Sequence, residues 1–502
     1  MIDPKGQAGQ NGFAITVRIF FWKLLSVYTL VAKTTKKITK PVPAAFLGIP
    51  YEKLGPLLAL VGAMLYLQTV TFEFTQDDAI VITDNMFTTQ GVKGISGLLG
   101  HDTFYGYFKD ESKLRLVSGG RYRPLTPVMF AIENEIAGLK PWFHHFISAI
   151  SYGALCWILF GFLREFLSSR FTAQQATRIA AVSALIFALH PLHTEVVANI
   201  KGRDEIIAAM GAIAGLWLTL RSIKEDSWLV RGGAALVFLL GMMSKENVIT
   251  MLGVVPLTLW WFQKNKNIRW IPALLPIVMA SFLFLVIRGS VTGWDQGKPP
   301  MELMNNPFLK IENDVYKPFT VGEKSATVMY TMGKYVQLLV FPYPLTHDYY
   351  PRHIDIMSWS DPVVIVYALM WLALFYIAFK GLRQRTWWSY GILFYMMTMS
   401  ITSNILFPIG TNMSERFAFL PSVGFAFIAG YAYYRLTESV RFKKIATPLL
   451  LIILVAYAGW TLVRSRVWKD NHTLFTTDIH TSARSCGTSA ITGRSVTCRA
   501  RR

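Results

Sequence analysis

The sequence predicts an all-α polytopic membrane protein with about eleven transmembrane helices and two long outer loops. Its 502 residues are 53% hydrophobic and only 16% charged, and the mean hydropathy of +0.37 is too high for an ordinary soluble domain. Apolar runs recur along most of the chain, and many approach the roughly 20 residues with which a helix crosses a bilayer. These observations argue against a soluble globular protein.

The expected spans follow one another from residue 55 to residue 463. Two of them, 178–190 and 232–244, are short and would cross only with flanking residues or a suitable tilt, so the expected count ranges from about nine to about twelve. The full set is 55–72, 143–163, 178–190, 204–220, 232–244, 247–262, 270–287, 361–379, 388–406, 417–434 and 446–463.

Basic residues concentrate in alternate connections between the apolar runs, and this pattern predicts the orientation. They occur in the N-terminal arm and again near residues 170, 224, 266, 383 and 443. Because cytoplasmic loops are enriched in Lys and Arg, we expect a cytoplasmic N-terminus and an outer C-terminus, periplasmic or lumenal according to the host. The same pattern accounts for the formal net charge of +20 without a nucleic-acid partner.

Three regions are expected along the chain. Residues 1–53 form a cytoplasmic basic arm, in which Phe13 to Ala32 is interpreted as an amphipathic helix on the membrane surface. Residues 54–465 form the transmembrane domain, and residues 466–502 form an outer C-terminal tail.

The outer loops of the transmembrane domain are expected at 74–142 and 288–360. Within the second loop, Val328 to Phe341 is apolar but contains Lys334. A single crossing there would reverse the side of every later basic loop. This segment is therefore interpreted as a membrane-edge or re-entrant helix.

Two adjacent carboxylates, Asp77 and Asp78, follow the first apolar helix. Carboxylates at a membrane edge are costly and are usually functional. An acid in this place suits a general base that removes the proton of a hydroxyl nucleophile. An incidental pair of acids at the start of a solvated loop is the alternative interpretation.

Further charged residues lie on the expected outer face, where the distribution of basic loops predicts few cations. Fixed cations at headgroup depth suit an anionic lipid phosphate. An alternative for each group is a local ion pair, and many such pairs contribute little to stability. The candidates are Arg121 with Arg123, Arg203 with Asp204 in the run Lys201 to Glu205, Lys245 with Glu246, and Glu415 with Arg416.

His190 and His193 complete the set of candidate binding residues. Their spacing, with Glu195 nearby, is similar to that of metal ligands. Pro191 breaks the helical geometry that would align the two rings, so a turn that caps a helix is the simpler interpretation. No cofactor and no metal ligand are predicted, and a divalent metal requirement stays open.

Several short motifs occur in a fixed order between about residues 55 and 480. They include Asp77-Asp78-Ala-Ile, Ser118-Gly-Gly-Arg-Tyr-Arg-Pro-Leu-Thr126, Ala188-Leu-His-Pro-Leu-His-Thr-Glu195, Gly202-Arg-Asp204, Ser244-Lys-Glu-Asn247, Ser414-Glu-Arg-Phe417 and Trp468-Lys-Asp-Asn-His-Thr-Leu-Phe475. In order and spacing they resemble the transmembrane and tetratricopeptide-repeat-containing O-mannosyltransferases and their bacterial relatives, polytopic glycosyltransferases of fold type C. Each motif is weak alone, and their order makes the resemblance specific.

The resemblance implies a glycosyltransferase that takes mannose or another hexose from a polyprenyl-phosphate carrier. The acceptor would be a Ser or Thr hydroxyl of a protein on the outer membrane face, so the implied partners are the lipid-linked sugar, the acceptor protein and membrane lipids. The same resemblance implies that Asp77 or Asp78 carries the base. Charge alone nominates the phosphate-binding cations, and on that ground we expect the Arg416 guanidinium within roughly 12 Å of the Asp77 carboxylate.

The chain departs from the family pattern in two places. Gln76 stands where the family often has an aromatic residue, and the chain ends about thirty residues after Trp468, where the family continues into helical repeats of about 34 residues. The tail is therefore interpreted as a truncated start of that repeat region, with a frame-shifted end or a disordered segment as the alternatives. Asn471-His-Thr in the same motif also matches the glycosylation acceptor pattern.

Two other functions fit the composition: a polytopic transporter or lipid flippase, and an inactive membrane scaffold. Scattered intramembrane charges favour a transporter. The paired interrupted helices and internal repeats that are typical of transporters are not evident in the sequence.

Overall fold

Helices make up nearly all of the regular secondary structure in the computed structural model, which describes residues 45–110, 120–263, 269–294, 301, 306–349 and 353–482. The helix expected at Phe13 to Ala32 and the end of the tail, residues 483–502, lie outside the described residues. Within them the α-helices are α1 (Tyr51–Leu65), α2 (Ile95–Gly100), α3 (Tyr105–Phe108), α4 (Leu125–Ala137), α5 (Pro141–Leu167), α6 (Ala173–Leu189), α7 (Thr194–Ala198), α8 (Arg203–Glu225), α9 (Trp228–Ser244), α10 (Met251–Phe262), α11 (Trp270–Thr292), α12 (Val321–Val340), α13 (Pro362–Leu382), α14 (Trp387–Met399), α15 (Ser422–Glu438), α16 (Lys443–Ser465) and α17 (Asn471–Asp478).

Short elements connect these helices. Two antiparallel hairpins, β1 (Ala45–Phe46) with β2 (Ile49–Pro50) and β3 (Leu309–Glu312) with β4 (Val315–Pro318), are small additions that the sequence did not predict. One turn of π-helix covers Ala79–Thr83. Turns of 3₁₀ helix cover Leu67–Thr71, Thr88–Gly94, Pro191–His193, Ile200–Gly202, Glu246–Thr250, Glu415–Ala418 and Arg466–Lys469.

Six helical segments of the described residues are long and apolar enough to cross a membrane, and a seventh qualifies if α6 and the segment Pro191–Ala198, bent by 52° between them, count as one span. Two shorter apolar segments, Trp228–Ser244 and Glu246–Phe262, lie beside them. The prediction of an all-α multi-pass membrane protein is confirmed at this level. The count of eleven spans is not confirmed.

Every predicted span contains a helix, but the boundaries differ. At the span predicted for 388–406, α14 ends early, at Met399. Asn404 follows with a left-handed backbone, φ 60°, and its side-chain amide donates to the carbonyls of Thr411 and Asn412. The polar run after Met399 thus closes a loop instead of extending the helix, which apolarity alone did not reveal. At the other end, α1 begins at Tyr51, so the predicted domain boundary at 53 falls inside a helix.

The helices differ in how closely they pack against the rest of the protein. Gly211 of α8 faces Gly241 of α9 so closely that an added Cβ would lie 2.5 Å from the Cα of Gly241. Small residues of this kind allow close packing of membrane helices. By contrast, only 17% of the most apolar part of α13 is buried, and Leu372 and Val366 are about two-thirds exposed. Such a surface suits contact with lipid.

Candidate functional site

The acid pair lies on a tight turn between the 3₁₀ segment Leu67–Thr71 and the π-turn at Ala79. Asp78 is fully buried, and its two carboxylate oxygens accept hydrogen bonds from the backbone N–H groups of Thr75, at 2.9 Å, and Lys201, at 2.7 Å. Burial raises the pKa of Asp78 to about 7, although both hydrogen bonds act in the opposite direction. This carboxylate ties the turn to the start of α8 and leaves no open face for a substrate.

Asp77 has the opposite surroundings. Its side chain is 39% exposed, and Oδ2 lies 3.4 Å from Nη1 of Arg416 and 3.8 Å from Nζ of Lys201. Burial would by itself raise the pKa of Asp77, but the charges of Lys201 and Arg416 outweigh burial and lower the pKa. The Arg416 guanidinium is therefore well within the roughly 12 Å expected from the sequence.

Arg416 also contacts Glu195, a carboxylate of α7. Its backbone N–H donates to Oε2 of Glu195 at 2.9 Å, and its Nη1 lies 3.6 Å from Oε1 of the same residue. These ion pairs use Nη1 alone, so Nε and Nη2 have no hydrogen-bond partner among the described residues. The guanidinium thus keeps donors available beside Asp77.

Glu415 points away from its neighbour. It is buried, and Oε1 accepts hydrogen bonds from the N–H of Thr346 at 2.7 Å and the hydroxyl of Tyr349 at 2.9 Å. Burial is the main reason why the pKa of Glu415 is raised to about 8. The structure does not bring this candidate to the Asp77 site.

Arg123 is fixed by two acids that were also candidates. Its Nε and Nη2 donate to the two carboxylate oxygens of Glu246 at 2.7 and 2.6 Å, and its Nη1 lies 3.3 Å from Oδ2 of Asp204. Asp204 also lies 3.6 Å from Nζ of Lys201. A bidentate pair of this kind fixes the orientation of the guanidinium. The three candidates therefore belong to one network beside Lys201.

Arg121 has no carboxylate within ion-pair distance among the described residues. Its guanidinium lies 4.9 Å from the centre of the Phe104 ring, and its backbone N–H donates to Asp102 at 2.5 Å. Burial and the nearby charge of Arg123 lower the pKa of Arg121 to about 10. A half-buried cation that lacks a carboxylate partner is suited to an anionic ligand.

Three of the candidate binding residues, Arg203, His190 and His193, are buried in the protein interior and hydrogen-bonded there. Arg203 is fully buried, forms an ion pair with Glu133, and donates to the hydroxyl of Ser148 at 3.0 Å and to the carbonyl of His144 at 2.5 Å. Its guanidinium is thereby satisfied on each nitrogen. The expectation that Arg203 binds phosphate is therefore not supported by its position.

The two histidines of the His-Pro-Leu-His motif are also internal. Nδ1 of His190 accepts from the N–H of Leu192 at 3.2 Å and Nε2 lies 2.8 Å from the carbonyl of Leu339, while His193 lies 2.9 Å from the hydroxyls of both Tyr152 and Ser422. They close the bend after α6, which agrees with a turn that caps a helix. No group of three potential metal ligands occurs among the described residues.

A cavity of about 610 Å³ is lined by Arg416 and Lys201, the two cations that contact Asp77, and its described lining is rich in cations. Lys245 is one of them, although its ammonium is also paired with the buried Glu205. Apolar residues supply much of the remaining lining. The cations are Arg121, Arg123, Lys201, Lys245, Arg288 and Arg416, the carboxylate is Glu246, and the apolar residues are Ile249, Phe284, Leu285, Ile401, Phe407, Pro408, Ile409 and Phe417.

Sequence reasoning missed three parts of this cavity. Lys201 was noticed only as the edge of a charged run, and Arg288 was not singled out, although an Arg at the expected outer end of a span is an exception to the basic-loop pattern. Ile401 and Thr402 were assigned to the span predicted at 388–406, and Phe407, just beyond it, was not singled out as a binding residue, although all three line the cavity.

A cavity lined by both cations and apolar residues, inside a multi-pass helical protein, suits the binding of amphipathic anions such as phospholipids. Comparison with known proteins narrows this class. The chain is 24% identical, over 84% of its length and 46% of the relative, to the mouse (Mus musculus) protein O-mannosyl-transferase TMTC3. It is 25% identical to mouse TMTC4, over 84% of this chain and 60% of that one, and 23% identical to the Caenorhabditis elegans protein O-mannosyl-transferase F38B6.6, over 84% and 57%.

These similarities confirm the resemblance that the ordered motifs predicted. The chain spans about half the length of the relatives it matches. No family model matches it.

Proposed function

We propose that the chain transfers a hexose, most simply mannose, from a polyprenyl-phosphate carrier to a Ser or Thr hydroxyl of an acceptor protein. The observation that carries the proposal is the partly exposed carboxylate of Asp77 beside Arg416 and Lys201, two cations that line a basic and partly apolar cavity. The names of the relatives, all protein O-mannosyltransferases, support the sugar and the protein acceptor.

The cavity matches both parts of a polyprenyl-phosphate. Its cations would bind the phosphate, and Arg121 and Arg416 are the strongest candidates because both retain unused donors among the described residues. Its apolar residues, among them Phe284 and Phe407, would contact the first isoprene units. A water-soluble nucleotide sugar has no lipid chain to bury against those residues.

The proposed reaction needs one base and one stabilised leaving group. Asp77 takes the proton of the acceptor hydroxyl as its oxygen forms a bond to the anomeric carbon of the sugar. The bond from that carbon to the phosphate oxygen breaks, and its electron pair stays on the phosphate. Cations placed around the phosphate stabilise the charge that develops there. The low pKa of Asp77 keeps it ionised before the hydroxyl arrives.

The proposed topology places this site on the outer side of the membrane. The basic connections put the N-terminus in the cytoplasm, and the turn of Asp77 then faces the periplasm or lumen. Residues 466–482 lie on the same side under this proposal. An acceptor protein would approach Asp77 from the aqueous phase while the carrier lipid enters from the bilayer.

A lipid flippase is the second candidate, because the 52° bend after α6 is the kind of helix break that transporters use. Here the bend is closed by the hydrogen bonds of His190 and His193, and neither lines the cavity. Flipping would also give no role to the exposed Asp77. An inactive scaffold would likewise leave the cavity without a purpose.

The test is a transfer assay with purified chain in lipid nanodiscs, a polyprenyl-phosphate-mannose donor, and acceptor peptides rich in Ser and Thr. Asp77→Asn should reduce transfer on the order of 100- to 10,000-fold, because general-base catalysis is lost. Asp84→Asn is the matched control, since Asp84 is an exposed acid nearby whose side chain contacts Thr83.

Mass spectrometry of the peptides measures the product. Equal transfer by wild type and Asp77→Asn would contradict the proposed base. Movement of labelled donor across vesicles without any peptide product would favour the flippase. No product and no movement would favour the scaffold.

A further inference from the structure

We propose that Asn471 is a positioning residue for Asp77, holding the catalytic turn in place from the segment that follows the last long helix. The inference rests on the proposed function of Asp77 as the base. It gives a role to the Trp468-Lys-Asp-Asn-His-Thr motif, which the cavity does not use.

The contact is a hydrogen bond between residues 395 positions apart. The backbone N–H of Gln76 donates to Oδ1 of Asn471 at 2.9 Å. Gln76 has a left-handed backbone, φ 44°, which a residue with a Cβ adopts only when its surroundings hold it there. The hydrogen bond from Gln76 to Asn471 holds Gln76, the residue directly before Asp77, in this conformation.

A second hydrogen bond fixes the same turn to the same segment. The N–H of Glu73 donates to the carbonyl of Lys469 at 2.9 Å. Glu73 and Gln76 mark the two ends of this stretch. The two hydrogen bonds connect them to Lys469 and Asn471, which flank Asp470.

The segment that holds the turn is itself firmly anchored. Asp470 caps α17 by accepting from the N–H of Thr473 at 2.7 Å, and Trp468 and Leu474 are buried. Farther along, Asp478 forms a bidentate ion pair with Arg464 of α16. Asn471 therefore presents its carbonyl oxygen from a fixed point.

The consequence for Asp77 follows from its two neighbours. Asp78 is fixed by hydrogen bonds from Thr75 and Lys201, so the direction of Asp77 depends on the backbone of Gln76. Without Asn471, Gln76 is free to return to negative φ, which moves the Asp77 carboxylate away from Arg416 and Lys201. Displacements of about 1 Å at a reacting group can reduce catalysis on the order of 100-fold.

Glycosylation offers a different explanation for Asn471, because Asn471-His-Thr matches the acceptor pattern. Two variants separate the explanations. Asn471→Asp keeps a side-chain oxygen acceptor and destroys the pattern. Thr473→Ala destroys the pattern and leaves Asn471 unchanged.

The experiment compares Asn471→Ala, Asn471→Asp and Thr473→Ala with wild type in the transfer assay. We expect Asn471→Ala to lower kcat on the order of 10- to 100-fold with little change in KM for the donor, while the other two variants stay within about threefold of wild type. Equal losses in all three variants would overturn the inference in favour of a glycan.

The pH profile gives a readout that a loss of stability would not move. Asp77 acts when ionised, so activity falls as pH drops through its pKa. Because Lys201 and Arg416 lower that pKa, moving Asp77 away from them in Asn471→Ala should shift the acidic limb of kcat to higher pH. An unshifted limb would mean that Asn471 does not position Asp77.

Hydrogen exchange of residues 73–77 separates this inference from the proposed function. Asn471→Ala should speed exchange of the Gln76 amide at least tenfold, and Asn471→Asp should not. If wild type transfers no sugar but this exchange pattern appears, the proposed function fails and the contact with Gln76 stands. Unchanged exchange in Asn471→Ala would refute the positioning role whatever the activity.

Discussion

Arg203 and Asp204 are adjacent in the sequence, yet they belong to two groups of charges that differ in kind. The interior group contains Arg203, Glu133, His144 and Ser148. Every nitrogen of the Arg203 guanidinium has a hydrogen-bond partner in this group. The cavity group contains Asp204, Lys201, Asp77, Arg416, Arg123 and Arg121, and some of its cations keep donors without protein partners in the described part of the chain. The first group is complete without a ligand, and the second keeps donors that a bound anion could accept from.

The largest effect on stability is expected in the interior group. Arg203→Met should lower the free energy of unfolding by about 3–5 kcal/mol, because it leaves Glu133 buried without its ion-pair partner. Thermal unfolding in detergent measures the loss. The double variant Arg203→Met with Glu133→Gln should recover most of it, since the uncompensated charge is gone. A loss of donor binding at unchanged stability would instead place Arg203 in the cavity group.

The sequence could predict the kind of residue in each group but not the direction of its side chain. Apolar length was enough to place a helix in every expected span, and exceptions to the basic-loop pattern found Arg121, Arg123 and Arg416. Neighbours such as Asp77 and Asp78 could not be separated, because burial of one and exposure of the other depend on Lys201, 123 positions away. The contact of Asn471 with Gln76 spans still more of the chain and has no local signal.

A smaller effect should separate Glu415 from its neighbour Arg416. The pKa of Glu415 is raised from its ordinary value of 4.5 to about 8. Between these two pH values the folded protein therefore binds more protons at Glu415 than the unfolded chain does. Wild type should therefore lose stability as pH rises through that window. Glu415→Gln does not titrate and can still accept from Thr346 and Tyr349.

We expect Glu415→Gln to match wild type near pH 5 and to exceed its stability by at least on the order of 1 kcal/mol near pH 9. Unfolding temperatures across that range provide the measurement. Glu438→Gln is the control, because Glu438 is exposed and pairs with Arg178 at the surface. If both variants follow wild type at every pH, Glu415 is ionised throughout and the contrast with Arg416 weakens.

The cavity cations are proposed to bind a lipid phosphate, and Arg416→Lys tests this proposal most directly. Lys keeps the positive charge but cannot form the bidentate hydrogen bonds that a guanidinium donates to a phosphate. Arg178→Lys is the matched control, because Arg178 forms a partly exposed ion pair with Glu438 that involves no cavity residue. Binding of polyprenyl phosphate in nanodiscs should weaken about tenfold in Arg416→Lys and stay unchanged in Arg178→Lys, with equal unfolding temperatures. Equal binding by wild type and Arg416→Lys, or weaker binding matched by lost stability, would contradict the account.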